Sequence, residues 1–122
     1  MSLTPLEVEI FERLYDSYAE FGFPEPTDIS CVGRRNLGLV HYSDLQHLGE
    51  FDAPDGGLVL GTFSHVEFAS LPCGAYVEVT ICSKKLKCIV FWVVGERDWD
   101  GDQSGWKIIS ETSGGEPSPG SA

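Results

Sequence analysis

The chain has 122 residues, 42% of them hydrophobic and 11% aromatic, which suits one self-sufficient domain and argues against intrinsic disorder. Eight Lys plus Arg against 19 Asp plus Glu leave a net charge of −11, a surface that repels phosphate backbones and anionic headgroups. Nucleic-acid and membrane-surface roles are therefore set aside, and no apolar run reaches the roughly 18 residues of a membrane span.

The N-terminal stretch reads as one amphipathic helix from Thr4 to Phe21. Thr4 and Glu7 form a capping box, Pro5 stands at the first helical position, and Leu3 and Val8 occupy the two places of a hydrophobic staple. Leu6, Ile10, Leu14 and Tyr18 recur at four-residue spacing, with Phe11 and Phe21 widening the stripe. Glu7, Glu9, Glu12, Asp16 and Glu20 fill much of the remainder. Gly22 suits a left-handed helix end, and Pro24 and Pro26 forbid continuation.

After Pro26 the pattern is strand and turn. Asp28 to Val32 and Leu37 to Tyr42 read as strands joined through Gly33-Arg34-Arg35-Asn36, and Gly49 to Gly57 as a loop. Leu58 to Leu60 and Phe63 to Ala69 resume β character around a bend at Gly61, and Pro72-Cys73-Gly74 reads as a turn. Ala75, Val77, Val79 and Ile81 alternate with Tyr76, Glu78 and Thr80, as in a half-buried strand. A turn at Ser83-Lys84-Lys85 follows. Leu86 to Val94 is apolar in both alternating sets, which predicts a central strand of a covered sheet. Trp106 to Ile109 gives a last strand, and residues 110–122, rich in Ser, Gly and Pro, read as a disordered tail. The expected architecture is a single α+β domain over residues 1–109: an N-terminal amphipathic helix packed on a mainly antiparallel β-sheet, with a small closed or half-closed β-barrel carrying an N-terminal helix as the alternative.

Leu71-Pro72-Cys73-Gly74-Ala75-Tyr76, a strand, Lys85-Leu86, and a second strand closing in Gly95-Glu96-Arg97-Asp98-Trp99 resemble a group of small uncharacterised bacterial proteins. In that group a Gly-Leu-x-x-Gly-Ala turn precedes a hairpin ending in Gly-Asp-Glu-x-Trp. Here Ser70 replaces the first Gly, Cys82-Ser83-Lys84 replaces an Asp-Gly turn, and Glu96-Arg97 stands for Asp-Glu. The resemblance spans about a third of the chain. It implies a bacterial cytosolic protein and transfers no catalytic residue.

Cys31, Cys73, Cys82 and Cys88 form no Cys-x-x-Cys pair, and no signal-peptide core follows Met1, so a reducing cytoplasmic setting with cysteines as small buried residues is expected. The histidines His41, His47 and His65 show no metal-ligand spacing, Ser64 and Ser104 sit in no nucleophile motif, and Asp55-Gly56-Gly57 lacks the Lys and helix of a phosphate loop. No catalytic, cofactor-binding or metal site is thereby assigned.

The segment Glu96 to Asp102 concentrates four carboxylates, at Glu96, Asp98, Asp100 and Asp102. Asp98, Asp100 and Asp102 match the first positions of a calcium loop, but Gln103 stands where its turn needs Gly and Ile109 where it needs a bidentate Glu. With Trp99 and Trp106 the segment has the make-up of a surface that receives a basic protein: indole supplies buried area, carboxylates supply steering and charge-assisted hydrogen bonds. The equally weighted alternative is that both Trp residues close the end of the core. The function read from these features is a non-enzymatic binding module for a basic partner, of the kind represented by small acidic immunity proteins, with contact at Glu96, Asp98, Trp99, Asp100, Asp102 and Trp106. The competing reading is a small-molecule binder or small enzyme with a helix–sheet pocket lined by Tyr15, Tyr18, His41, His65 and Trp92. Self-association through an uncovered face of the Leu86 to Val94 strand is compatible with both.

Overall fold

The structure, a computed structural model, describes residues 2–50, 56–58 (backbone only) and 65–109. Helix α1 (Pro5–Tyr18) starts with the full capping box: the Glu7 amide donates to Thr4 Oγ1 at 3.2 Å, and the Thr4 amide to Glu7 Oε1 at 2.8 Å. A single 3₁₀ turn (Ala19–Phe21) follows, closed by Gly22 at φ +86°. Seven strands follow: β1 (Ser30–Asn36), β2 (Val40–Gln46), β3 (Gly56–Leu58), β4 (His65–Phe68), β5 (Leu71–Cys82), β6 (Lys85–Val93) and β7 (Lys107–Ile109). They form one sheet in the order β1-β2-β6-β5-β4-β7, with β3 paired to the Val79–Ile81 end of β5 and β4 to its Leu71–Tyr76 end, and all pairs are antiparallel. The α+β architecture follows directly, and among the described residues the edges β1 and β7 do not meet to close a barrel.

Strand alternation decides which side α1 covers. Ala75, Val77, Val79 and Ile81 of β5 share a face with Ile89 and Phe91 of β6, and Leu6, Ile10, Phe11 and Leu14 of α1 join them in one cluster, the four helix residues at 0% exposure. Burial of each such side chain stabilises the fold by roughly 1.5–3 kcal/mol. The opposite face is more open. Val40, Trp92, Tyr76, His65 and Ile109 form one row across five strands, and within it Trp92 is 44% and Tyr76 52% exposed. In the next row Val90, between Tyr42 and Glu78, is buried. The doubly apolar pattern of β6 therefore marks a central strand, covered by α1 on one face and open on the other at Trp92.

Two turns differ from the sequence expectation. Gly33-Arg34-Arg35-Asn36 is not a connection but most of β1, and the turn lies at Leu37–Leu39. Asn36 fixes it there: its Oδ1 accepts the Gly38 amide at 2.8 Å, and Gly38 takes φ +85°. Arg34 and Arg35 consequently point to opposite faces of the sheet, not off a hairpin tip. Pro72-Cys73-Gly74 lies inside β5, and the chain reverses at Ala69–Ser70. Gly74 sits opposite the bulge in β4 at φ +75°, where a Cβ would collide with the Val66 carbonyl oxygen. Cys73 and Cys82 are exposed, so only Cys31 and Cys88 are the small buried residues expected; Cys88 Sγ lies 3.1 Å from Thr80 Oγ1. The tail from Ser110, the bend at Gly61 and the strand residues Val59, Leu60 and Phe63 fall outside the described residues.

Candidate functional site

The acidic segment leaves the end of β6 and crosses the ends of two hairpins before entering β7. Backbone bonds fix its path: the Trp99 amide donates to the Gly38 carbonyl at 3.2 Å, and the Ala69 amide to the Ser104 carbonyl at 3.0 Å. Side chains add to this. Asn36 Nδ2 reaches the Trp99 carbonyl at 3.4 Å, and Ser70 Oγ the Asp102 carbonyl at 3.3 Å. Two of the carboxylates brace the loop from within. Asp100 Oδ1 accepts the Asp102 amide and Asp102 Oδ1 the Ser104 amide, each at 2.9 Å, giving two successive side-chain turns. The Ser104 side chain, then its amide, hold the Asp102 carboxyl below the usual carboxylate range.

Trp99 anchors this segment in the core. It is 3% exposed, stacks on Phe68 at 4.4 Å between ring centroids, lies 4.6 Å from His41 and meets Phe91 edge-on at 5.9 Å. Its indole N–H donates to the Asp102 carbonyl at 3.1 Å. Of the six residues expected to meet a partner, Trp99 is thus turned inward and closes the core, and Trp106 is half-buried against it. Glu96, Asp98, Asp100 and Asp102 are exposed. Beside the loop lies a recess of about 220 Å³ whose lining includes Asn36, His41, Trp99, Asp100 and Gln103. Gln103 Oε1 is a buried acceptor with no hydrogen-bond partner among the described residues.

The five residues expected to line a helix–sheet pocket do not converge. His41 pairs with Phe91 on the core face, whereas Trp92, the next residue along β6, projects from the other face in the same row as His65. His65 stacks on Tyr76 at 5.2 Å, and Tyr18 lies 6.2 Å from Phe21 at the helix end. His47, just past the end of β2, is buried and structural: its Nε2 accepts the Leu86 amide at 3.0 Å, and its Nδ1 faces the Leu48 carbonyl at 3.1 Å.

Glu7, which the sequence pattern places in the capping box and among the acids outside the apolar stripe, is instead buried. It lies on the stripe of Leu6, Ile10 and Leu14 and is 0% exposed. Arg34, inward-facing on β1, donates from both terminal nitrogens: Nη2 to Oε1 at 2.8 Å and Nη1 to Oε2. Ser43 Oγ donates to Oε2 at 2.8 Å and accepts from Arg34 Nη1 at the same distance. Burial raises the Glu7 pKa, but the bonds from Arg34, the Thr4 amide and Ser43 outweigh it, and the carboxyl is held below its ordinary range. A Glu at a helix-stripe position was the available signal. Its partner is hidden in the linear pattern, where Gly33-Arg34-Arg35-Asn36 reads as a turn and not as a strand facing α1.

No protein-family model, curated protein or solved structure matches this chain. Among the described residues no helix is long and apolar enough to cross a membrane.

Proposed function

We propose that this protein is a small acidic binding module that recognises a basic partner protein through the Glu96–Asp102 loop, in the manner of immunity proteins that mask a basic target in the cytoplasm. One observation carries the reading: four exposed carboxylates stand on a segment already held by its own backbone bonds to two hairpin turns. A pre-set loop loses little conformational freedom on binding, so more of its contact energy is expressed as affinity. Trp99 takes part from behind, as the buried post on which the loop is mounted.

The test is capture from the source cell's lysate with wild-type chain and with Glu96→Lys/Asp98→Lys, washed at low and at high salt. A stoichiometric basic protein retained by wild type and released by both the substitutions and salt supports the reading. Retention of nothing by wild type, or of a partner indifferent to both changes, refutes it.

A second reading has its own observation. The open row of Trp92 and Tyr76 is an apolar strip on the uncovered face of the sheet, suited to meeting a second copy. Sedimentation of wild type and Trp92→Lys separates a dimer lost on substitution from a monomer in both cases.

A further inference from the structure

We infer that the groove along the outer side of α1 is the docking site for a basic amphipathic segment of the partner, a second contact that rests on the function proposed above. The groove runs between α1 and the stretch Glu25–Ser30 and encloses about 820 Å³. Its floor is apolar: Ile29 is buried, and Leu3, Val8, Tyr15 and Pro26 are half-buried. Its banks are acidic. Glu9, Glu12 and Asp16 line the helix side and Glu25 the other, against the single guanidinium of Arg13, which is bonded to Glu9 at 2.8 Å.

The spacing specifies the occupant. Val8 and Tyr15 lie seven residues apart, so they stack on one side of α1 about 10 Å apart, and Glu9, Glu12 and Asp16 form a parallel row beside them. The complement is a segment with two apolar anchors about 10 Å apart flanked by Lys or Arg, which a helix supplies at i and i+7. Carboxylates on both banks repel a nucleic-acid backbone, and a second copy of this chain would bring more negative charge to an already acidic groove. A basic amphipathic protein segment answers both the floor and the banks.

The probe is a fluorescein-labelled 14-residue Leu/Lys peptide with Leu at i, i+3 and i+7, titrated with full-length chain and read by anisotropy. Two variants alter charge equally: Glu12→Lys/Asp16→Lys in the groove and Glu96→Lys/Asp98→Lys in the loop. All four residues are exposed, and circular dichroism checks that both variants fold. The groove variant is expected to weaken binding about tenfold and the loop variant less than threefold, with amide shifts in wild type centred on Val8, Tyr15 and Ile29. Equal weakening by both variants means a diffuse field and overturns the site, as does an unchanged affinity in the groove variant. These outcomes are separate from the lysate capture: a partner captured by wild type and lost only with the loop substitutions leaves the proposed function standing without the groove.

Discussion

Glu7→Gln removes one charge from the helix–sheet junction while keeping side-chain shape. In the native protein the carboxylate accepts four bonds, from the Thr4 amide, both Arg34 nitrogens and Ser43 Oγ. The amide that replaces it must turn its NH₂ toward one pair of donors. Toward Thr4 it faces two donors that cannot reverse. Toward Ser43 the hydroxyl can rotate to accept, so this orientation wins, and one guanidinium N–H is left facing an N–H. Breaking a buried pair by removing one partner costs about 3–5 kcal/mol. The Arg34 side chain is 33% exposed and recovers some hydration, which places the loss near the lower end, about 3 kcal/mol. With a urea slope of about 2 kcal/mol per M, the unfolding midpoint falls by about 1.5 M. The assay is equilibrium urea unfolding followed by Trp fluorescence, at neutral pH and at stepwise lower pH. The folded-state pKa of Glu7 is depressed, so its contribution is complete above the unfolded value and is lost as pH falls through the folded one. The gap between wild type and variant therefore narrows on acidification. A variant within 0.5 kcal/mol of wild type at pH 7, by the same measurement, or a gap that widens at low pH, would refute the reasoning.

Trp99→Ala removes the stacked ring beneath the loop and is expected to cost about 3–5 kcal/mol, seen as a lowered thermal midpoint in calorimetry together with loss of protection at the Ser104 and Asp102 amides in hydrogen exchange. His47→Leu leaves the Leu86 amide without its acceptor and should cost about 1–3 kcal/mol in urea unfolding, whereas a change confined to an exposed loop would cost almost nothing. Ser83 and Lys84, at φ +53° and +61°, make a two-residue hairpin turn of the mirror type, so Ser83→Asn/Lys84→Gly should stabilise by about 1 kcal/mol in the same assay.

The helix was legible because each of its signals is local: the capping box, the apolar spacing and Gly22 act within a few residues, and all three are present. The alternation of Ala75 to Ile81 and the doubly apolar run after it were legible for the same reason and give β5 and central β6. Turn placement was not. Gly33 and Gly74 look like turn residues, but in β1 the reversal is set by an Asn36 side-chain bond to Gly38, and in β5 Gly74 serves a bulge against Val66. The second depends on a neighbouring strand that a linear pattern does not display; the first is local, an Asn two residues before a Gly, and competes with the stronger-looking turn signal of Gly33. The site divides along the same line. The four exposed carboxylates follow from composition, whereas the inward turn of Trp99 depends on Phe68 and His41, which the sheet brings from remote positions. Glu7 and Arg34 are 27 residues apart and meet only once β1 packs beneath α1.

Recognition by charge is the central claim, and association kinetics test it most directly. Stopped-flow mixing of the chain with its captured basic partner, from about 20 to 500 mM salt, measures the steering field itself as the screening length shrinks. The account predicts an association rate that falls by at least tenfold across this range while dissociation changes little, with Glu96→Lys/Asp98→Lys already slow at low salt. A rate independent of salt, or equal in wild type and variant, would contradict it.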